Sequence, residues 1–160
     1  MLNDVIHRSQ QRAQVPAVKE PLGLCRSDGK RPDGVTMIPW SRGRCLAWDV
    51  TVVDTLAPSH IAETSSLAGA AAVKTEAAKV AKYTDLSRTH IFVPLAFETM
   101  GSWGQQCMDF VKELGRRLVA VTGEKREATF LTQRIYLAIQ RGNAMASRGT
   151  LPAALPSADD

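Results

Sequence analysis

Cysteine is scarce in this chain of 160 residues, and the three present, Cys25, Cys45 and Cys107, lie far apart with no C-x-x-C pair. That argues against a disulfide framework and a structural zinc site, and leaves free thiols in a reducing compartment as the simplest account. His7, His60 and His90 fall on separate segments without metal-ligand spacing. No run approaches the ~18 uninterrupted apolar residues of a membrane span, and the first residues lack the apolar core of a signal peptide. P-loop, GxGxxG and GxSxG motifs and internal repeats are all missing, which removes the commonest nucleotide-binding and serine-hydrolase signatures. A soluble intracellular protein of one domain is the expectation.

What is present suits such a domain. The hydrophobic fraction of 44% and charged fraction of 22% are those of a globular chain. A chain of this length buries ~68–70% of its unfolded surface. The net charge of +4 permits an anionic partner without selecting one.

The most informative stretch runs from Lys30 to Thr55 and reads as two strands joined around Gly43. Alternation puts Asp33, Val35 and Met37 on one side of the first strand, and Asp49, Thr51 and Val53 on one side of the second. A hairpin about Gly43 would set Asp33 level with Asp49 and Pro39 level with Ala47. A carboxylate inside Leu46–Val53 is costly to bury unless it binds a cation or accepts hydrogen bonds. Two readings follow. In one, Asp49 accepts hydrogen bonds from backbone or from Arg31, and Asp33 is a turn residue before Gly34. In the other, the two carboxylates share Mg²⁺, a hard cation that takes one or two carboxylates and water.

The rest of the chain supplies a scaffold. Leu2 to about Ala13 has a helical stripe closed by Pro16, and Val15–Val18 suits a short strand leading to Glu20. Leu22–Arg31 reads as a loop carrying Arg26, Lys30 and Arg31. Arg26 reads as surface charge. Lys30 and Arg31, next to Asp33, suit either surface charge or phosphate contact. Ser59–Tyr83 is alanine-rich and helix-favouring apart from Gly69, with a slim face of alanines at 68, 71, 72, 78 and 81. Lys79 and Tyr83 share one face of it, with Glu76 a turn earlier and Lys74 and Lys82 elsewhere; taken alone, Lys79 is a solvated helix lysine. Ile91–Phe97 is a strand whose Pro94 argues for an edge or a bulge, and Glu98 at its end suits a capping or loop role, with an approach to the site as the alternative. Trp103, between glycines, suits a packing lid or a stacking platform. Two amphipathic helices follow, Phe110–Val121 ended by Gly123, and Phe130–Ile139. Their Lys112, Arg116, Arg117, Arg134 and Arg141 form a solvated face or line a duplex. From Leu151 a disordered tail is expected. The order of elements predicts an α/β fold, a central mixed sheet flanked by helices.

Arg31-Pro32-Asp33, then Asp49-Val50-Thr51, then Lys79 and Tyr83, together resemble the restriction-like endonuclease domain associated with non-LTR retrotransposon reverse transcriptases, a branch of the PD-(D/E)XK nuclease superfamily. Leu2–Ile6, Pro16–Pro21, Gly29–Gly34 and Ile139–Asn143 are similar to such domains as well, so the likeness spans residues 1–150 and leaves 151–160 as the tail. It implies a PD-(D/E)XK fold and a DNA endonuclease that uses Mg²⁺ (or Mn²⁺). Asp33 and Asp49 would ligate the metal with the backbone carbonyl of Val50, assisted by Glu20; Asp4 is a distant second, and the bland reading of Glu20 is a solvated residue before Pro21. Thr51 stands where a standard member has its lysine. The retrotransposon branch carries that lysine on the following helix with a tyrosine after it, a placement that Lys79 and Tyr83 match, and Lys82 is the alternative by register. Lys30, Arg31 and Lys82 would contact DNA. The implied partners are DNA and a reverse transcriptase domain, and the implied location is nuclear. The competing expectation is a remnant of the same domain that binds nucleic acid or protein without cutting.

Overall fold

Alternating side chains in Leu46–Val53 serve two layers at once, and the architecture grows from that strand. The computed structural model describes residues 1–150; the expected tail from Leu151 lies outside the described residues. The elements are α1 (Leu2–Arg12), β1 (Ala17–Lys19), β2 (Gly34–Thr36), β3 (Leu46–Val53), α2 (Ile61–Thr64), α3 (Ala70–Lys82), β4 (Ile91–Glu98), α4 (Gln105–Thr122) and α5 (Glu127–Thr150). The sheet order is β1-β2-β3-β4, antiparallel as far as β3 and parallel between β3 and β4. A parallel pair needs a crossover, and α3 supplies it. Leu46 and Trp48 face the main core with Leu95, Phe97 and buried residues of α1, α4 and α5. Ala47 faces the other way, into a smaller cluster with Phe92 and Tyr83. This is an α/β fold with a four-stranded mixed sheet packed against helices. Among the described residues no helix is long and apolar enough to cross a membrane.

The turn at Gly43 forms as its sequence requires. Arg42 and Gly43 take φ of 51° and 69°, the pair of positive values that a type I′ turn needs, and Trp40 N–H closes onto the Arg44 carbonyl at 2.8 Å. The register Gly34↔Trp48 and Val35↔Ala47 brings Asp33 beside Asp49. The expected level of Pro39 with Ala47 is wrong, because Ala47 is opposite Val35 and β2 ends at Thr36. The Thr36 hydroxyl explains the early end. It accepts the Leu46 N–H at 2.9 Å and donates to the Ile38 carbonyl at 2.8 Å, while Met37 N–H turns to the Pro16 carbonyl.

Two other boundaries move. The first strand is Ala17–Lys19 rather than Val15–Val18. The alanine-rich segment is two helices, because Gly69 adopts φ 83° and starts α3 afresh. Of the expected alanine face, Ala71 and Ala72 are buried but Ala68, Ala78 and Ala81 are exposed. Pro94 does lie on an edge strand, with its missing donor turned outward. Ile91 and Thr99 N–H groups bond to the carbonyls of Cys45 and Val53, so the intervening even residues point away from β3.

Candidate functional site

The site is assembled by α3. Ala72, Glu76, Lys79 and Tyr83 follow helical spacing down its sheet-facing side, and each position makes a contact distant in sequence. Ala72 N–H donates to Glu98 Oε1 at 3.1 Å, so a fully buried glutamate at the end of β4 holds the start of α3. Glu76 accepts the Gln106 and Cys107 N–H groups at 3.2 and 3.0 Å and thereby caps α4. Gly104 opens α4 without a side-chain cap of its own, and that bare start was the one sequence signal for a remote acceptor.

Lys79 comes next on the stripe. Its Nζ lies 2.7 Å from Asp49 Oδ2, and the Asp49 side chain is only 8% exposed. The approach is an ion pair without the alignment of a hydrogen bond, so Oδ2 remains a buried acceptor with no directed donor. Just before β2, Asp33 Oδ2 accepts the Val50 N–H at 2.6 Å. The two carboxyls are close enough for the Asp49 charge to act on Asp33. Burial is the main cause that lifts the Asp33 pKa; the Val50 N–H opposes it, Asp49 adds to it, and Lys79 pulls it back.

Tyr83 ends the stripe. Its hydroxyl donates to the Arg31 carbonyl at 3.1 Å, which ties the end of α3 to the loop that carries Asp33. That contact makes Tyr83 a positioning residue for the Asp33 loop. Its ring packs on Phe92 at 4.6 Å between centroids, with the Arg26 guanidinium 5.1 Å from the ring centre. Burial, more than the nearby Asp49 charge, raises its pKa.

Glu20 stays apart. Its side chain is 67% exposed and pairs with Arg31 at 3.4 Å, and no hydrogen bond or ion pair links it to Asp33 or Asp49 among the described residues. Its backbone joins the loop through Glu20 N–H to the Asp33 carbonyl at 2.9 Å, so the chain passes the site while the carboxylate leans outward. Asp4 is engaged with Lys19 and the amino terminus, which hold its carboxyl well below the usual range. Lys30 and Lys82 are exposed and Arg31 is partly so. Trp103 packs edge-on to Phe97 and against Tyr136, which fits the packing reading. Asn3 was not foreseen: it accepts from Trp48 Nε1 at 2.8 Å and donates to the Asp33 carbonyl at 3.3 Å, fixing the Asp33 backbone from α1.

The donors suit one hard cation. A strand residue's N–H and C=O point to the same edge, so the Val50 carbonyl faces the side where Asp33 meets the Val50 N–H. Two adjoining carboxylates carry one negative charge beyond what Lys79 neutralises, and Asp49 Oδ2 lacks a directed donor. Among the described residues no group of three or more His, Cys, Asp and Glu side chains converges, so a cation here would have only the two carboxylates and the carbonyl as protein ligands.

The raised Asp33 pKa carries a stability consequence. The folded chain holds this proton more tightly than the unfolded one, so Asp33 favours the fold in acid and loses that contribution as pH rises through its elevated pKa. Asp33→Asn should therefore raise the Tm at neutral pH, since the amide still accepts from Val50 and can donate to Asp49. The gain should disappear below about pH 4. A lower Tm at neutral pH would contradict the repulsion inferred between the carboxyls.

No protein-family model matches the chain, and no curated protein matches it.

Proposed function

We propose that the chain is a DNA endonuclease of the PD-(D/E)XK type that hydrolyses phosphodiesters with a divalent cation, Mg²⁺ or Mn²⁺. The observation that carries this reading is the meeting of Asp33 and Asp49 beneath Lys79, charged groups from the loop before β2, from β3 and from α3 at one partly buried point. Asp33, Asp49 and the Val50 carbonyl would hold the cation, which when bound polarises the phosphate and makes water a stronger nucleophile. Lys79 lies within reach of the same point, and a fixed cation there stabilises charge that develops on the phosphate in the transition state. Asn3 and Tyr83 hold the Asp33 loop from two sides and limit the movement that a misplaced carboxylate would allow. Lys30, Arg31 and Lys82 supply cations near the site for the DNA backbone. The likeness to retrotransposon domains supports a place beside a reverse transcriptase.

A second reading has one observation in its favour. Lys79 already neutralises one charge of Asp49, as expected of a remnant that binds nucleic acid without cutting it.

Supercoiled plasmid decides between the two. In Mg²⁺ the protein should convert it to nicked and linear forms, and EDTA should stop the conversion. Salt-dependent binding with no nicking in Mg²⁺ or Mn²⁺ would favour the remnant.

A further inference from the structure

A groove of about 370 Å³ opens on the other side of Tyr83, lined in part by Leu24, Arg26, Ser27, Lys82, Tyr83 and Thr89. Tyr83 is the wall shared by this groove and the carboxylate site, since its hydroxyl reaches the Arg31 carbonyl two residues before Asp33. The Arg26 guanidinium is placed before any ligand arrives. It lies over the Tyr83 ring and is held by Asp28 Oδ2 at 3.0 Å, in a loop closed by Arg26 N–H to the Lys30 carbonyl. Lys82 is exposed and, among the described residues, makes no ion pair. Asp85 also lines the groove, but its side chain is 96% exposed and its ion-pair contact is Arg88, at 3.8 Å.

From these contacts we infer that the groove seats a phosphate of the DNA strand adjacent to the one at Asp33 and Asp49, held by Arg26 and Lys82. This rests on the DNA reading of the carboxylate site and says where the strand runs. A planar guanidinium fixed on an aromatic ring presents paired N–H donors that match two phosphate oxygens. Lys82 adds a point charge at the C-terminal end of α3, where the helix dipole alone would repel an anion. Arg26 must exchange its Asp28 partner for phosphate, and that contact is partly solvated, with side chains 27% and 42% exposed.

Binding of a fluorescein-labelled DNA duplex in EDTA, followed by anisotropy across a salt series, tests the groove without cleavage. Arg26→Ala and Lys82→Ala should each raise the Kd and make the slope of log K against log salt shallower by about 0.9, the loss of one phosphate contact. Arg126→Ala is the control. It removes the same charge from an exposed pair with Glu124 before α5, outside the groove lining, and should leave the slope unchanged. Lys82 is on the surface, so its variant remains informative if loss of Arg26 loosens Tyr83. Unchanged slopes in both groove variants, or an equal change in Arg126→Ala, would overturn the groove. If the wild type cuts plasmid while the groove variants bind as it does, the groove fails and the nuclease stands. If no cutting is found but binding falls specifically in the groove variants, the nuclease fails and the groove stands.

Discussion

Replacing Lys79 with alanine should slow DNA cleavage by about 10²–10³-fold, the scale of losing one preorganised charge-stabilising group. The reason is local. Lys79 is the cation in direct contact with Asp49, at 2.7 Å, whereas Lys82 is exposed and Lys74 pairs with Glu63 at 3.5 Å. Lysine and alanine are both good helix formers, so α3 itself should persist. Asp49→Asn should cost cleavage at least as much. Because the two groups act as a unit, the double variant should be little worse than the more severe single one. Single-turnover rates on a plasmid substrate read all three. Independent, multiplying losses would show that Lys79 and Asp49 act separately, and full activity in Lys79→Ala would remove the lysine from the site.

The other large effect falls on stability. A Cβ at position 34 would stand 2.0 Å from Trp48 Cζ2, far inside any tolerable contact. The neighbour is a fully buried indole in the main core, held by Asn3, not the free end of a flexible chain. Gly34→Ala should therefore lower the unfolding free energy by about 1–3 kcal/mol, the range for overpacked cores. It should also disturb Asp33, since the displaced indole is bonded to the same Asn3 that holds the Asp33 carbonyl. Urea unfolding measures the first effect as a lower midpoint with an unchanged m value. A midpoint like that of the wild type would mean that β2 and β3 move apart more easily than their pairing suggests.

Local signals carried the turn around Gly43, with its Ser41↔Arg44 bridge. The β2–β3 ladder is out of step with that bridge, and it is the ladder register, Val35↔Ala47, that decides which side chains meet. The shared face of Lys79 and Tyr83 was legible from their four-residue spacing, and α3 turns that face to the sheet, where Lys79 pairs with Asp49. Glu20 misled because nearness in the chain does not say which way a side chain leans, and Arg31 drew it outward. The breadth of β2 was overestimated because Thr36, a strand-forming residue, used its hydroxyl to replace the next ladder bond. The partners of Glu76, Glu98, Asn3 and Tyr83 were illegible: each reaches across 26 to 52 positions in the chain, beyond any periodicity in the sequence.

Glu98 at one end and the Arg31 carbonyl at the other fix α3 like an indexed shaft, keyed at both bearings. Sliding the helix by one residue would turn its face by about 100° and move it 1.5 Å along its axis, breaking both keys together. The phase of the helix is thus set by groups that take no part in holding a cation. A lysine transplanted to position 78 or 80 has the right charge and nearly the right height, yet it would point away from Asp49. Chemical identity at this site is inseparable from angle, and the angle is stored in a buried glutamate at the far end of the sheet.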